Sequence, residues 1–373
     1  MPSPAYSEKR IQVITLKRRL LALLLLLCMA VPLTSCAPKL NRYEAQFLEL
    51  FDTVTTVVGY SKDKDTFTDY VETLRSKVQE YHELYDIYND YPGVNNIKTI
   101  NDNAGAAPVK VDKRIIDLIK FSIDKYKNTG GQLNIAMGAV LTIWHDYREA
   151  GVENPETAKL PPMEDLQEAA KHTNIDDVII DEAASTVYLR DPDMSLDVGA
   201  VAKGYACEQV ALDMQKLGFD HALLSLGGNV RAIGAKNDKG EPFATGIENP
   251  FGTEDNPFVC VVNLNDMSLV TSGNYERYYT VNGKRYHHLI DPDTLFPAEY
   301  FTSITILCKD SGLADGLTTA VYNMPFEQGL QFIESLQGVE ALWLFPDGSV
   351  KYSDGFGKYI KEGTLVTATP AQK

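Results

Sequence analysis

Apolar residues recur at the spacing of an amphipathic helix over two long stretches in the first third of the chain. Between residues 65 and 87 they fall on one helical face, at Tyr70, Leu74, Val78, Tyr81, Leu84 and Tyr85. Residues 113–129 repeat the pattern and end at Gly130 and Gly131, which is typical of a helix C-terminus. A shorter helix is predicted over 163–171, and further helices begin near Ala200 and in the stretch 311–324.

Other stretches have the composition of β-strands. Residues 50–60 are rich in β-branched side chains, and 176–191 read as a β-hairpin. Residues 132–144 look strand-like at first and then turn into a helix. Residues 221–234 read as a strand interrupted by Gly227 and Gly228, and further strands are predicted around Cys260, Leu269, Tyr278 and 303–310. Residues 89–105 and 149–162 read as a loop and a surface insertion. Because strands and helices do not alternate regularly, we predict an α+β fold with mixed or antiparallel sheets and packed helices rather than a dinucleotide-binding doubly wound sheet.

The N-terminus has the pattern of an export signal. Five basic residues precede the apolar run Leu20–Val31, which is too short to span a bilayer and has the length of a signal-peptide core. The following "LTSC" ends at Cys36 and resembles a bacterial lipobox, which implies cleavage before Cys36 and lipidation of its thiol. An ordinary secretion signal is the alternative. We therefore expect a signal peptide over 1–35, a tether over 36–45, a domain over 46–373, and an extracytoplasmic protein anchored to the lipid membrane through Cys36.

Charge and cysteine content restrict the class of partner. The chain carries −16, and removal of residues 1–35, which carry +4, leaves −20. Such an acidic body argues against nucleic-acid binding, which needs a basic surface. Beyond the signal and Cys36 there remain Cys207, Cys260 and Cys308, without metal-binding spacing, so that one disulfide or three buried thiols are both open.

The stretch "DVGAVAKGYA" (residues 197–206) places small residues, Asp197 and Lys203 at the predicted start of a helix. A helix N-terminus binds anions, and a lysine there adds a full positive charge toward a phosphate. Asp197 can accept a hydrogen bond from a base, a ribose or a flavin ring. Close packing of a helix on a sheet explains the same small residues.

Three further motifs combine small or polar residues. "LGGNV" has Gly227 and Gly228, which indicate a bulge or a pocket wall. In "GKRYHHLIDP" only one of His287 and His288 can face a pocket, because side chains alternate along a strand. "ADGLTTA" puts Asp315 and Thr319 on one helical face, as hard oxygen ligands of Mg²⁺ would be, although an acidic helix N-terminus alone also accounts for Asp315.

In this order, and behind a lipobox, "DVGAVAKGYA", "LGGNV", "TSGNYERYY" with "GKRYHHLIDP", and "ADGLTTA" resemble the ApbE family of FAD:protein FMN transferases. The resemblance implies an ApbE (T-fold-like) architecture and a reaction that uses FAD as substrate with Mg²⁺. The FAD pyrophosphate is split, FMN is joined as a phosphoester to a Thr or Ser hydroxyl of a partner, and AMP leaves.

The resemblance also implies roles for residues of this chain. Mg²⁺ would be held by the carbonyl of Ala200 together with Asp315 and Thr319, and Asp315 would be catalytic. His288 matches the histidine of the family motif, and we take it as the candidate general base because the ordinary pKa of an imidazole is near neutrality. FAD would contact these residues: Tyr88, Ala136, Met137, Gly138, Asp197, Lys203 and Leu289, or Ile290 in place of Leu289. Phe51 and Leu295 depart from the family pattern.

The acceptor motif of family substrates, Ser/Thr-Gly-Ala-Ser/Thr, is absent from this chain. We therefore expect a separate acceptor, an exported or membrane redox protein that carries this motif. Two alternatives remain open: a metal-dependent FAD pyrophosphatase that gives FMN and AMP, and a lipoprotein that binds flavin without catalysis.

Overall fold

The computed structural model describes residues 39–51 and 53–366, except for the side chain of residue 49. The predicted signal peptide, the lipidation site Cys36 and the first part of the predicted tether lie outside these residues. The helices of the described part are α1 Lys64–Tyr85, α2 Ile97–Asp102, α3 Lys113–Asn128, α4 Gly138–Glu153, α5 Met163–Ala169, α6 Ala202–Lys216, α7 Ser311–Tyr322 and α8 Phe326–Glu334.

The strands of the described part form four sheets, and all their named pairs are antiparallel. The strands are β1 Asn41–Leu50, β2 Thr53–Ser61, β3 Val109–Lys110, β4 Val178–Asp181, β5 Thr186–Leu189, β6 His221–Leu226, β7 Asn229–Gly234, β8 Phe243–Glu248, β9 Phe258–Leu264, β10 Ser268–Gly273, β11 Tyr278–Val281, β12 Lys284–His287, β13 Ser303–Cys308, β14 Glu340–Leu344 and β15 Val350–Tyr352. The large sheet has the order β1-β2-β6-β7-β10-β13-β14-β15, and the small ones are β3-β5-β4, β8-β9 and β11-β12. The predicted α+β class with antiparallel sheets is confirmed.

Strand β13 shows how the layers of the core are arranged. All six of its residues are buried, which requires that both faces of the sheet be covered. Ile304 and Ile306 pack in a cluster with residues of α7 and α8, whereas Leu307 packs in another with the β8–β9 hairpin. The molecule is therefore layered around the central strands of the large sheet, with helices on one face and a hairpin on the other.

Several local predictions differ from the structure. Residues 41–45, expected in a tether, belong to β1, where they pair with β2. The Gly227–Gly228 pair is a two-residue hairpin turn between β6 and β7, with φ of 52° and 91°, rather than a bulge within one strand. Glycine suits it because both positions need a positive φ. Ile135–Met137 is a 3₁₀ turn instead of a strand, and the predicted loop 89–105 contains α2.

The open question about the cysteines is answered within the described residues. Cys207, Cys260 and Cys308 are unpaired and buried. Burial raises the pKa of Cys207 and of Cys308 to about 12, so these thiols stay protonated. Among the described residues, we find no helix with the length and apolar character that crossing a bilayer demands.

Candidate active site

A cavity of about 680 Å³ opens at one end of the large sheet, where the β1–β2 and β6–β7 turns lie side by side. Its wall also includes the end of α1, the middle of α4, the start of α6, strand β8, the end of β10, and α7. The predicted site residues that line it are Tyr88, Met137, Asp197, Ala200, Lys203, His288, Leu289, Asp315 and Thr319. Tertiary packing thus brings together residues that are more than 200 positions apart in the chain.

Two predicted residues lie elsewhere. Ala136 is fully buried, and its N–H donates a hydrogen bond to Asn134 Oδ1 at 2.9 Å. The Ala136 side chain packs in the core and does not line this cavity, so its contact with FAD stays a prediction. Gly138 lines an adjoining cavity of about 330 Å³, which shares Tyr88 and Asp197 with the first.

The contact between α6 and α7 forms the floor of the main cavity. The N–H of Gly204 donates a hydrogen bond to Asp315 Oδ2 at 2.8 Å. A Cβ at position 204 would lie 2.3 Å from the Cβ of Asp315 and 2.4 Å from the carbonyl oxygen of Ser311. Only glycine therefore lets the two helices approach closely enough to place Asp315 beside the start of α6.

Asp315 is a buried carboxylate that is incompletely compensated. Burial raises the pKa of its carboxyl, while the nearby Lys203 ammonium and the Gly204 hydrogen bond oppose that rise. Thr319 follows one turn later on α7 and also lines the cavity. A carboxylate that burial penalises in this way gains from a cation placed beside it.

Asp197 lies in the irregular segment before α6, held by its N–H, which donates to the carbonyl of Ile135 at 2.8 Å. Its carboxylate accepts a hydrogen bond from the N–H of Gly199 at 2.8 Å. Burial raises the pKa of this carboxyl, and that hydrogen bond, Lys203, His145 and Arg148 act in the opposite direction. The predicted helix start near Ala200 is two residues early, since α6 begins at Ala202.

The two adjacent histidines take the different positions that strand alternation predicts. His287 is buried in the core, where Nε2 donates to the carbonyl of Ala298 at 2.9 Å and Nδ1 accepts from the N–H of Leu289 at 3.2 Å. His288 lines the cavity, and its Nδ1 donates to the carbonyl of Arg277 at 3.3 Å. Burial, together with Arg277 and other cations, lowers the pKa of His288 to about 3, so its imidazole is neutral.

The residues proposed for a metal fit a hard divalent cation. The donor set of one backbone carbonyl, one carboxylate and one hydroxyl is all oxygen, which Mg²⁺ prefers. Asn229 also lines this cavity, and its Oδ1 is a buried oxygen without a hydrogen-bond partner among the described residues. The incompletely compensated Asp315 and this oxygen are the features expected where a cation binds.

The sequence analysis missed several cavity residues. His82 on α1 and both His145 and Arg148 on α4 line the wall, as does Arg277 after β10. Arg148 donates to His145 Nδ1 at 2.8 Å, and the His145 ring lies 5.4 Å from that of Tyr88. The sequence does indicate His145 and Arg148, because they follow the predicted flavin stretch at i, i+3 spacing, which puts both on one helical face.

Another group of possible metal ligands lies outside this cavity, at His172, Asp191 and Asp193. Here His172 Nδ1 donates to Asp191 Oδ2 at 2.8 Å, and this hydrogen bond raises the pKa of His172. Asp191 also accepts from the N–H of Asp193 at 2.9 Å. An ion pair on the surface accounts for the group without a metal.

Comparison with known proteins gives consistent results. A sequence model described as the ApbE family matches residues 51–343. The chain is 34% identical over 273 residues to an FAD:protein FMN transferase of Treponema pallidum (strain Nichols), which covers 69% of this chain and 73% of that protein. It is 30% identical to an FAD:protein FMN transferase of Klebsiella pneumoniae (strain 342), over 73% of this chain and 82% of that one.

Solved structures show the same architecture. The ApbE protein of Thermotoga maritima superposes with a TM-score of 0.74 at 28% identity, and the match covers 86% of this chain and 100% of that one. A flavin transferase ApbE of Vibrio cholerae superposes with a TM-score of 0.70 at 23% identity, covering 86% of this chain and 100% of that one.

Proposed function

This chain belongs to the ApbE family, and from that premise we propose that it is an FAD:protein FMN transferase. The observation that carries the proposal is the meeting, in one cavity, of a buried carboxylate (Asp315), a cation at a helix start (Lys203) and a neutral imidazole (His288). Phosphoryl transfer needs such a set, because it depends on charge neutralisation and on positioning of the nucleophile.

Ala200, through its carbonyl, and the side chains of Asp315 and Thr319 would hold Mg²⁺. A divalent cation bound there would supply charge neutralisation to the pyrophosphate of FAD. Lys203 adds a positive charge of the protein's own at the same end of the cavity, beside the start of α6. These residues bind and orient the pyrophosphate, while Tyr88, Met137, Asp197 and Leu289 contact the rest of FAD.

His288 acts as the general base. Its Nδ1–H is engaged by the carbonyl of Arg277, which leaves Nε2 as the acceptor of the ring. The hydroxyl oxygen of the acceptor Thr or Ser attacks the FMN phosphorus, the bond from that phosphorus to the bridging oxygen breaks, and AMP leaves. His288 Nε2 takes the hydroxyl proton. Negative charge from bound FAD favours the imidazolium that forms, and so raises the low pKa of His288.

The family resemblance supports the proposed acceptor, and the lipobox supports the proposed location. The partner is an exported or membrane redox protein with a Ser/Thr-Gly-Ala-Ser/Thr motif. Lipidation at Cys36 would hold the enzyme at the membrane surface on the extracytoplasmic side. Growth with a labelled fatty acid, followed by mass spectrometry of the N-terminus in wild type and Cys36→Ala, tests this part by itself.

The test of the activity mixes residues 37–373 with FAD, Mg²⁺ and a protein that bears a Thr-Gly-Ala-Thr motif. We expect an FMN adduct on the acceptor by mass spectrometry, release of AMP, and loss of both with EDTA. FMN and AMP without an adduct would instead identify a pyrophosphatase, and bound intact FAD would identify a binding protein.

Variants test the assignment of roles. We expect His288→Ala to lower the transfer rate about a hundredfold or more, the usual contribution of a positioned base. His172→Asn, a histidine outside the cavity, is the matched control and should keep wild-type rates. Full transfer by His288→Ala alongside an inactive Asp315→Ala would show that the base has been assigned to the wrong residue.

A further inference from the structure

His82 on α1 is a cavity histidine whose two ring nitrogens are both engaged by the protein. Its Nδ1 accepts a hydrogen bond from the N–H of Phe51 at 3.2 Å, and its Nε2 lies 3.1 Å from the hydroxyl of Tyr91. Tyr91 in turn donates to Asp86 Oδ2 at 2.7 Å. One arrangement of protons satisfies all three contacts: Nδ1 is unprotonated and Nε2–H donates to the Tyr91 oxygen. His82 thus has no nitrogen left to act as a base.

Phe51 occupies a backbone conformation that needs support. Its φ is 52°, in the left-handed region that a bulky residue seldom adopts. Its ring lines the cavity and packs edge-on against His82, with centroids 5.5 Å apart and planes at 71°. The hydrogen bond to Nδ1 of His82 therefore supports the backbone of a residue that lines the cavity in a strained conformation.

The same network reaches a second part of the wall. The Asp86 carboxylate accepts from the N–H of Tyr88 at 2.6 Å and from the N–H of Asn89 at 3.1 Å. Hydrogen bonds to the charged form hold the pKa of Asp86 below its ordinary value although burial opposes them. A chain of contacts thus runs from Phe51 through His82 and Tyr91 to the segment that carries Tyr88.

We propose that His82 is a positioning residue that shapes the FAD-binding wall by holding Phe51 in its left-handed conformation. Through Tyr91 and Asp86 it also ties the Tyr88 segment to the end of α1. The inference rests on the proposed function, since it presumes that FAD is the ligand of this cavity. It assigns His82 to ligand binding and leaves the chemical step to other residues.

The experiment measures FAD affinity and steady-state kinetics for His82→Leu and His82→Asn. We expect His82→Leu to raise the Kd and the KM for FAD about tenfold, with kcat at saturating FAD within about threefold of wild type, as loss of binding alone requires. His82→Asn should restore most of the affinity, because the asparagine Oδ1 can replace Nδ1 as acceptor for the Phe51 N–H. Circular dichroism of each variant verifies folding.

A double-mutant cycle with Phe51→Gly separates positioning from general damage. Glycine adopts a positive φ without strain, so in the Phe51→Gly background His82→Leu should change the Kd by less than about threefold. Tyr91→Phe, which keeps the Phe51 hydrogen bond, should weaken FAD binding less than His82→Leu does.

The inference is wrong if His82→Leu binds FAD as wild type does, if His82→Asn is as defective as His82→Leu, or if the two sites act additively. A fall in kcat with unchanged KM would also overturn it, since that result would place His82 in the chemical step. A wild-type protein that binds no FAD would refute the proposed function itself, a result that is visible before any variant is made.

Discussion

Helices α6 and α7 contact each other through two buried carboxylates, of which one forms an ion pair with another described residue and the other does not. Near one end of α7, Glu208 accepts a hydrogen bond from the Ser311 N–H at 2.9 Å and forms an ion pair with Arg231 at 2.9 Å. One turn farther along α7, Asp315 accepts from the Gly204 N–H and has no ion pair within 4 Å in the described residues. The first contact is a closed network and the second is open to the cavity.

The balance of charge explains the difference. Burial opposes the charge on Arg231, but the carboxylates of Glu208 and Asp266 together raise the pKa of its guanidinium. Asp266 is in turn paired with Lys309 at 3.1 Å. At Asp315 burial prevails, and the pKa of the carboxyl rises. A buried charge that protein groups of opposite charge neutralise stabilises the structure. A buried carboxylate without a paired cation indicates a binding site for one.

The largest effect is expected from breaking the closed network. Glu208→Ala leaves Arg231 buried with a single remaining carboxylate partner, so we expect a loss of about 3 to 5 kcal/mol in the free energy of unfolding. Urea denaturation measures it. The FAD affinity of the fraction that remains folded should be close to that of wild type, and a large loss of affinity there would link Glu208 to the site.

Asp315→Asn removes the unpaired carboxylate and should lower activity while leaving stability nearly unchanged. We expect transfer activity to fall a hundred- to a thousandfold, roughly 2.7 to 4 kcal/mol of transition-state stabilisation. The free energy of unfolding should stay within about 1 kcal/mol of wild type or increase, because a poorly compensated buried charge is removed. If Asp315→Asn were as destabilising as Glu208→Ala, the two carboxylates would both be structural.

Gly204→Ala sharpens the comparison by pushing the two helices apart. The added Cβ would meet Asp315 and the carbonyl of Ser311 at 2.3 and 2.4 Å, so overpacking should cost about 1 to 3 kcal/mol. Because the collision is with Asp315 itself, activity should fall as well. Gly357→Ala is the control, since its Cβ would meet an ordinary contact at 3.5 Å. Equal effects of the two substitutions would contradict this account.

The smallest expected effect is the pH dependence of the free energy of unfolding that buried His287 causes. Burial lowers the pKa of His287 from 6.5 to about 4, so the unfolded chain binds a proton more readily than the folded protein between these values. Stability contributed by neutral His287 is therefore complete above pH 6.5 and is lost as pH falls toward 4, by about 2 kcal/mol between pH 7 and 5. His287→Leu should remove this part of the pH dependence of unfolding, and an unchanged slope would refute it.

Much of this molecule could be predicted from local patterns. The first helix was expected over 65–87 and spans Lys64–Tyr85, because its apolar stripe repeats every three to four residues. The resemblance to the ApbE family and the predicted architecture are confirmed by the matching family model and by solved relatives. Strand alternation predicted that only one of the two adjacent histidines faces a pocket, and the family motif pointed to His288, which lines the cavity while His287 is buried in the core.

The errors share a physical cause. Gly227 and Gly228 line the cavity, as the pocket-wall alternative expected, but the bulge is wrong: a hairpin turn and a bulge both need positive φ, and only the pairing of β6 with β7 distinguishes them. Residues 41–45 read as a tether because their mixed polar sequence shows no buried face, although pairing with β2 makes them a strand. The FAD contacts of Ala136 and Gly138 stay predictions, because neither residue lines the main cavity and the place of Gly138 depends on its packing against Ser195.

The sequence by itself determined the elements with strong periodicity and the chemical types of the site residues, because both depend on neighbours within a few positions. The tertiary structure alone decided which carboxylate is paired and which is open, since Asp315 meets Gly204 across 111 positions and Glu208 meets Arg231 across 23. It also decided that His82, an ordinary polar residue of an amphipathic helix in the sequence, holds Phe51 at the cavity wall. Such contacts depend on how whole elements pack, which no local pattern encodes.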